Sequence, residues 1–273
     1  MTTTQRIIKY LALSLAVFLI FIIFSGILGT LYVVTSILGA QKEETNIQEN
    51  MTTTDLTSME ITSLDIDVAL TNLIIKNSDT LKVETNNQSI NITQNNQTLK
   101  IQETNHDWLH KNHKGDLVLY LPKNMTFVEV KINAGAGKIE AKNINTENLY
   151  LELGTGKTTF ENLDVLKNCT IKSGIGKASI LSGSINELDL NMGIGKFEIT
   201  SNLTGNSKIE AGIGSLNIDI LNTKENYQIK ATKGIGTIKI GNETIPDNYT
   251  YGSGANKLTI SGGIGSIDVD FER

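Results

Sequence analysis

Short runs of alternating apolar and polar residues recur through the second half of the chain, and a Gly-x-Gly triplet interrupts each run. Residues two apart in a strand share a face, so the alternation predicts strands with one apolar side. The triplets follow one another at intervals of 19, 20, 19, 19, 22 and 29 residues. A near-constant interval of about 20 residues indicates a stack of structural repeats.

The apolar positions change parity at each triplet, which predicts a bend in the chain. In the second repeat, Leu151 and Leu153 precede the first glycine at odd distances, whereas Phe160 follows it at an even distance. Both strands can face one interior only if the chain turns between them. Glycine permits such a turn because it adopts positive φ and lets another backbone approach closely. We therefore predict structural corners at these glycines: Gly135, Gly137, Gly154, Gly156, Gly174, Gly176, Gly193, Gly195, Gly212, Gly214, Gly234, Gly236, Gly263 and Gly265.

The middle residue of a corner is isoleucine in five repeats, and we expect it to pack inward. These residues are Ile175, Ile194, Ile213, Ile235 and Ile264. Same-position residues of successive repeats would stack about 4.8 Å apart along parallel strands. The sequence thus predicts an all-β fold, a right-handed β-solenoid of repeats of about 20 residues, in which each rung closes its core against its neighbours. A β-sandwich of regular hairpins is the alternative.

A long apolar run at residues 7–39 precedes the strands. A bilayer is crossed by roughly 20 apolar residues, so this run predicts one transmembrane helix. Arg6 and Lys9 are the only charges near its amino end, and the positive-inside rule places residues 1–6 in the cytoplasm. The expected localisation is the cell membrane, with a single pass, a cytoplasmic N-terminus and an extracytoplasmic C-terminal domain. A cleaved signal peptide is the alternative.

The remaining chain divides by its pattern. Residues 40–60 are polar and without periodicity, which predicts a tether. Residues 61–273 would form one extracytoplasmic β-solenoid domain. Within it, residues 61–133 supply the opening rungs and a cap, because the end of a solenoid must be covered. Residues 134–273 carry the Gly-x-Gly repeats.

The composition limits the chemistry that the chain can perform. A net charge of -5 offers no overall basic face for nucleic acid. Cys169 is the only cysteine, so a disulfide within the chain is impossible, and its place in the repeat is inward. A glycan-cleaving site needs paired carboxylates, but the acidic residues are scattered and only one tryptophan is present. We predict no catalytic residues, no cofactor and no enzymatic activity.

Several stretches resemble one family. They are Ser-Gly-Ile-Gly-Lys at 173–177, Met-Gly-Ile-Gly-Lys at 192–196, the strand at 117–122 and the closing repeat at 258–269. Together they resemble the bacterial β-strand-repeat domains labelled "putative adhesins", whose function is unassigned. The resemblance covers roughly residues 60–272. It implies a β-helix-like solenoid, often tethered to the envelope of Gram-positive bacteria, and supplies no catalytic residues.

One cationic position recurs in register. It holds Lys138, Lys157, Lys177 and Lys196 in four consecutive repeats. Stacked rungs would align these lysines in a column able to contact an anionic polymer, such as a teichoic acid, or lipid head groups. The alternative is a solvated edge whose lysines discourage strand pairing.

All three histidines lie together, at His106, His110 and His113. Two of them are four residues apart, so a helical loop could present two metal ligands. They are weak metal candidates, because neither a cysteine nor a second carboxylate is near them. A surface loop at 103–115 is the alternative.

These observations predict a non-enzymatic, membrane-anchored scaffold outside the cytoplasm that binds like an adhesin. The expected partners are the membrane, through the single-pass anchor, and a cell-wall or other anionic envelope polymer or a membrane protein. The alternative is a regulatory protein that senses envelope stress through membrane partners. Deletion would separate them, because loss of a sensor alters the response to wall-active agents.

Overall fold

The computed structural model describes residues 51–104, 115–241 and 243–272. In these residues it contains strands and one 3-10 helix, Lys224–Asn226. The strands before the repeats are β1 (Thr52–Asp55), β2 (Ser63–Val68), β3 (Asn72–Ser78), β4 (Lys82–Thr85), β5 (Ile90–Asn95), β6 (Thr98–Glu103) and β7 (Asp116–Pro122). The strands of the repeats are β8 (Phe127–Ile180), β9 (Gly183–Asn186), β10 (Leu188–Asn191), β11 (Ile194–Thr204), β12 (Asn206–Glu210), β13 (Ile213–Ile220), β14 (Tyr227–Thr232), β15 (Ile235–Ile240), β16 (Glu243–Thr244), β17 (Tyr249–Tyr251), β18 (Asn256–Ser261) and β19 (Ile264–Phe271).

The all-β prediction is confirmed, and the alternating pattern explains why. In β2, buried residues alternate with half-exposed ones along the whole strand, and the same alternation recurs in β6 and β12. The buried apolar positions join one hydrophobic core that runs through the repeats. Burial of the aliphatic side chains on the inner side of each strand holds the stack together. Cys169 is part of this core.

Successive repeats pair in parallel, with equivalent residues side by side. Ile194 of β11 lies opposite Ile175 of β8 on one side and opposite Ile213 of β13 on the other. We name each rung by its first glycine, so these three residues belong to the Gly193, Gly174 and Gly212 rungs. Parallel pairing at the repeat interval excludes a sandwich of antiparallel hairpins. The right-handed sense of the coil stays a prediction.

The last two repeats stack in the reverse of their sequence order. Strand β19 pairs with β13 on one side and with β15 on the other, so the seventh repeat lies between the fifth and the sixth. Strand β18 lies between β12 and β14 in the same way. The spatial order of the rungs is therefore Gly135, Gly154, Gly174, Gly193, Gly212, Gly263 and Gly234.

The strands at the start of the domain also stack out of their sequence order. Strand β2 lies between β6 and β8, and β3 lies between β7 and β8, all in parallel. Antiparallel strands then cover both ends of the stack: β1, β4 and β5 at the opening, and β16 and β17 at the close. Covered edges protect a parallel stack from adding strands of another molecule.

The corner at residues 69–71 precedes the Gly135 rung in the stack, and a buried carboxylate binds its backbone N–H groups. Elsewhere in the stack a middle residue donates its N–H to the first glycine carbonyl of the preceding rung, as Ile213 does to Gly193 at 2.9 Å. At the corner of residues 69–71, the Oε2 atom of buried Glu103 instead accepts the three backbone N–H groups at 2.7, 2.9 and 3.3 Å. The Asn87 side chain donates to the other oxygen at 3.2 Å. Glu103 thus satisfies donors that an additional rung would otherwise have to satisfy.

The prediction that the middle isoleucines pack inward is wrong. All five are exposed, namely Ile175, Ile194, Ile213, Ile235 and Ile264. The reason is the contact between glycine backbones of neighbouring rungs: a Cβ atom added at Gly195 would lie 1.9 Å from the carbonyl oxygen of Gly176. Backbone therefore fills the inside of the corner, and the middle side chain is left outside.

The predicted localisation is contradicted. Across residues 51–104, 115–241 and 243–272, no helix combines the length and the apolar character needed to cross a bilayer. The helix that those residues do contain spans only three residues. The transmembrane segment predicted at 7–39 lies outside the described residues, so the single-pass anchor is not supported.

Residues 47–273 form one compact unit, with a hydrophobic core made of its own residues. This unit begins within the predicted polar tether at 40–60, because β1 pairs with β4 and Leu56 is buried. The pairing needs backbone groups rather than apolar side chains, which is why the polar sequence Thr-Thr-Thr-Asp of β1 gave no strand pattern. The other predicted boundaries stay predictions.

Candidate functional site

Two columns of side chains run along the line of corners, which we call the corner edge. The isoleucine column, in spatial order, is Ile175, Ile194, Ile213, Ile264 and Ile235. The lysine column is Lys138, Lys157, Lys177 and Lys196. Each lysine follows the middle residue of its own corner by two positions, so both columns lie on the outer side of the coil.

The lysine column is aligned by the parallel register. Lys196 lies directly opposite Lys177, and the next position in the stack is Ser215. From there the column continues as hydroxyl side chains, because Ser215 pairs with Ser266 and Ser266 with Thr237. The corner edge is therefore cationic at its first four rungs and polar but uncharged at its last three.

Carboxylates two residues further along the strands neutralise part of this charge. Lys138 Nζ lies 2.6 Å from Glu140 Oε1, and Lys177 Nζ lies 2.8 Å from Glu198 Oε2. Lys196 also forms an ion pair with Glu198. Hydrogen bonds from these two lysines lower the pKa of Glu198 to about 2, although burial opposes the shift. Lys157 has no carboxylate within ion-pair distance among the residues that the structure describes.

The isoleucine column is an unusual surface for a coil with an aliphatic interior. Its members are between 42% and 74% exposed, with Ile235 the most exposed. Five equivalent residues about 4.8 Å apart form a straight apolar line of roughly 19 Å. A single exposed isoleucine is unremarkable, but a contiguous line of them is typical of an interaction surface.

The second glycine of each corner makes this exposure possible. Gly195 has φ of +133°, a region in which a side chain is strained, and its neighbour Gly176 has φ of +141°. The backbone of each corner therefore rests directly on the next corner, which keeps both columns straight and in register.

The interior of the corners is too small to hold a ligand. The free space is about 20 Å³ beneath the Gly135, Gly154 and Gly174 corners and about 10 Å³ beneath the last three. Such volumes admit a single water molecule at most. A ligand of the corner edge must therefore bind its outer side.

Two larger surface pockets are lined by neither the corner glycines nor the residues of the two columns. One, of about 320 Å³, is lined by residues that include Lys224, Asp270 and Phe271. The other, of about 180 Å³, includes Lys142, which forms an ion pair with Glu161 at 3.6 Å. Solvated and paired charges of this kind are ordinary for a protein surface.

The three histidines proposed as weak metal ligands, His106, His110 and His113, lie outside the described residues. Elsewhere, across the described ranges, no group of three or more histidine, cysteine, aspartate or glutamate residues could hold a metal ion. The histidine site stays a prediction.

The sequence reasoning missed the isoleucine column as a surface, because an isoleucine in an alternating repeat is ordinarily a core residue. The same middle position holds Ala136 in the first corner and Thr155 in the second. The buried position four residues after the first glycine varies in the same way, with Ile139, Thr158 and Ala178 in the first three rungs. Residue type at the middle position therefore does not separate an outward side chain from an inward one.

Comparison with known families gives a clear match. A family model described as Toastrack DUF4097 matches residues 44–260, which is more than half of the chain. This finding confirms the resemblance predicted from the sequence. No curated protein matches the chain.

Solved structures with a similar fold are bacterial. A "putative adhesin" from Bacteroides fragilis has a TM-score of 0.50 at 14% identity and covers 82% of this chain and 98% of its own. A "putative cell adhesion protein" from Clostridium sporogenes has a TM-score of 0.39 at 16% identity, with coverages of 82% and 99%. At such identities the likeness to the first structure bears on the fold alone.

Proposed function

Because the chain belongs to the Toastrack DUF4097 family, we propose that it is a non-enzymatic binding scaffold whose lysine column holds an anionic polymer of the cell envelope. The name "putative adhesin" of the Bacteroides fragilis structure agrees with a binding role. We further propose that its rungs form a right-handed β-solenoid, the sense in which parallel strands are nearly always connected.

The in-register lysine column is the observation that supports this proposal most. Four ammonium groups about 4.8 Å apart form a linear array, and a polymer with charges along its length can contact several at once. The ion pairs with Glu140 and Glu198 leave part of this charge uncompensated. They also restrict the lysine side chains before a ligand binds, which lowers the entropy cost of binding.

A flexible phosphate polymer suits the array better than a compact anion. The corner edge has no enclosed pocket, since the space inside the corners is at most about 20 Å³. A line of exposed cations instead provides many weak contacts, each screened by salt over a Debye length of about 10 Å at 0.1 M. We therefore expect binding that is multivalent and strongly dependent on salt.

The test is co-sedimentation of the full chain with purified bacterial cell walls across a salt series, before and after acid removes their phosphate polymer. Replacing all four column lysines, Lys138, Lys157, Lys177 and Lys196, with glutamine should weaken binding by about tenfold or more at low salt and flatten its salt dependence. The polymer-depleted walls should bind neither protein well.

The matched control replaces four exposed lysines elsewhere with glutamine: Lys208, Lys230, Lys239 and Lys257. This variant carries the same change in net charge, and two of its lysines also have carboxylate partners. If both variants lose binding equally, the column has no special role and its lysines serve only as a solvated edge.

A further inference from the structure

The isoleucine column is not explained by a polymer site. Aliphatic side chains contribute nothing to the binding of phosphate, and exposing five of them in a line creates a risk of aggregation. The next residues along the strands on the hydroxyl half, Ser215, Ser266 and Thr237, bring no charge to shield them. The column therefore requires an apolar partner of its own.

We propose that the corner edge is a peripheral lipid-binding edge, on which the isoleucine column inserts into the surface of a bilayer with anionic headgroups. The contact is made by side chains of the folded unit and requires no spanning helix. It goes beyond the proposed polymer binding in both its ligand and its residues.

The shape of the edge favours a bilayer over a protein partner. The apolar sides of both flanking strands face the core, so the corner is convex and its isoleucines project from it. A rigid protein would need a matching groove, and a stable interface buries about 800 Å² on each partner. A line of five half-exposed isoleucines offers roughly half of that area. A bilayer deforms around a narrow edge and imposes no such minimum.

Charge complementarity identifies the kind of bilayer. Lys177 and Lys196 lie two residues, or about 7 Å, from Ile175 and Ile194 on the same outer side. With the isoleucines at the boundary between headgroups and acyl chains, lysine side chains at that distance reach headgroup phosphates while their methylene groups stay in the apolar layer. Each lysine near an anionic membrane surface raises the affinity by about fivefold.

The acidic residues do not oppose this orientation. On the hydroxyl half, Glu210 lies three residues before Ile213, and its carboxylate is 2.6 Å from Lys208 Nζ. Along β19 the nearest carboxylate is Asp268, four residues after Ile264, and Lys239 lies 4.0 Å from it. At more than about 10 Å along the strand, this carboxylate remains in solvent when the corner is inserted.

The test is co-sedimentation of the compact unit, residues 47–273, with lipid vesicles. Cooperative unfolding of this unit is verified first, to show that it folds. One set of vesicles contains phosphatidylcholine alone, and the other contains equal parts of phosphatidylcholine and phosphatidylglycerol. The variant replaces Ile194, Ile213 and Ile264 with threonine, the residue that Thr155 already places at this position. We expect strong partition into the anionic vesicles only, and a fall of about tenfold or more in the variant.

The control replaces three other exposed aliphatic residues, Val128, Leu166 and Leu221, with threonine. They are 50%, 62% and 43% exposed, against 48%, 47% and 48% for the three isoleucines. This control should bind vesicles like the unmodified unit. Equal loss in both variants, or no vesicle binding by the unmodified unit, would overturn the proposal and leave a protein as the partner of the column.

Insertion can be measured separately from binding. Ile194→Cys labelled with an environment-sensitive dye should shift its emission to shorter wavelength on anionic vesicles, whereas labelled Leu166→Cys should not. Cys169 will not compete for the dye, because it is fully buried and burial raises the pKa of its thiol. An unchanged emission at position 194 would contradict insertion even if sedimentation were positive.

The two proposals fail in different experiments. The isoleucine-to-threonine variant should keep its salt-dependent binding to cell walls, because the lysine column is intact. Loss of wall binding with vesicle binding retained would refute only the polymer site.

Discussion

The two halves of the corner edge share one backbone and differ in their side chains. In the lysine half, the rungs from Gly135 to Gly193 place an ammonium group after each corner. In the hydroxyl half, the Gly212, Gly263 and Gly234 rungs place Ser215, Ser266 and Thr237 at that position. The second glycine of every corner has positive φ in both halves.

This difference shows which positions of the repeat the fold constrains. From the Gly154 rung onward the corner glycines cannot vary, because a Cβ atom would lie 1.8–2.2 Å from a carbonyl oxygen of the neighbouring rung. The outward position after the corner contacts solvent, so its chemistry can change along the stack without a steric clash. The isoleucine column overlaps both halves, and only the Gly174 and Gly193 rungs carry an isoleucine and a lysine together.

The largest loss of stability is expected from a change at a corner glycine, because both halves of the corner edge depend on the same glycine backbone. Gly195→Ala would place a Cβ atom 1.9 Å from the carbonyl oxygen of Gly176, so the rungs must separate. We expect a loss of about 3 kcal/mol or more in the free energy of unfolding, measured by denaturant titration. Gly241→Ala is the control, since no atom lies within 4 Å of a Cβ there and only the strain of its φ of +63° is added.

Extending the lysine column into the hydroxyl half tests whether the column alone sets polymer affinity. We expect the triple change Ser215→Lys, Ser266→Lys and Thr237→Lys to strengthen wall binding by about tenfold at low salt. The change creates three new neighbouring pairs of ammonium groups, each repelling by about 1 kcal/mol at about 4.8 Å in water. Because salt screens exposed charges, the same protein should lose about 1–2 kcal/mol of stability. Unchanged affinity with the expected loss of stability would show that the column does not bind the polymer.

The smallest effect concerns the ion pairs of the lysine half. Hydrogen bonds from Lys177 and Lys196 lower the pKa of Glu198 from 4.5 to about 2, so its carboxylate stabilises the fold above pH 4.5. Because the folded state holds its proton less tightly than the unfolded state, that stability is lost as the pH falls from 4.5 to about 2. We expect these ion pairs to contribute about 1 kcal/mol to the free energy of unfolding, since they are partly solvated. Melting temperatures of the wild type and Glu198→Gln should differ at pH 6 and converge near pH 2; a constant difference would contradict the assignment.

Much of the fold followed from the period of the sequence. Alternation between apolar and polar residues identified the strands, and the parity change at each triplet located the corners. The order of the last two rungs could not be predicted, because the corner sequence around Ile213 can pair equally well with that around Ile235 or Ile264. Only the longer intervals of 22 and 29 residues marked this region as irregular.

The candidate site was predictable in part. Register alone placed Lys177 beside Lys196, as the repeat interval required. The shared partner Glu198 depends on side-chain reach between rungs, which periodicity does not describe. The direction of the isoleucines depends on how closely glycine backbones approach, and a pattern of residue types contains no such distance.

Because the seventh repeat is inserted, the order in which the strands are synthesised differs from the order in which they stack. Residues 235–240 emerge from the ribosome before residues 264–271, yet they must rest on them. Until the later strand arrives, the exposed edge of β13 offers the earlier one a nearly identical corner. The stack therefore cannot be completed in the order in which its strands are synthesised, because β15 gains its native neighbour only once β19 is in place.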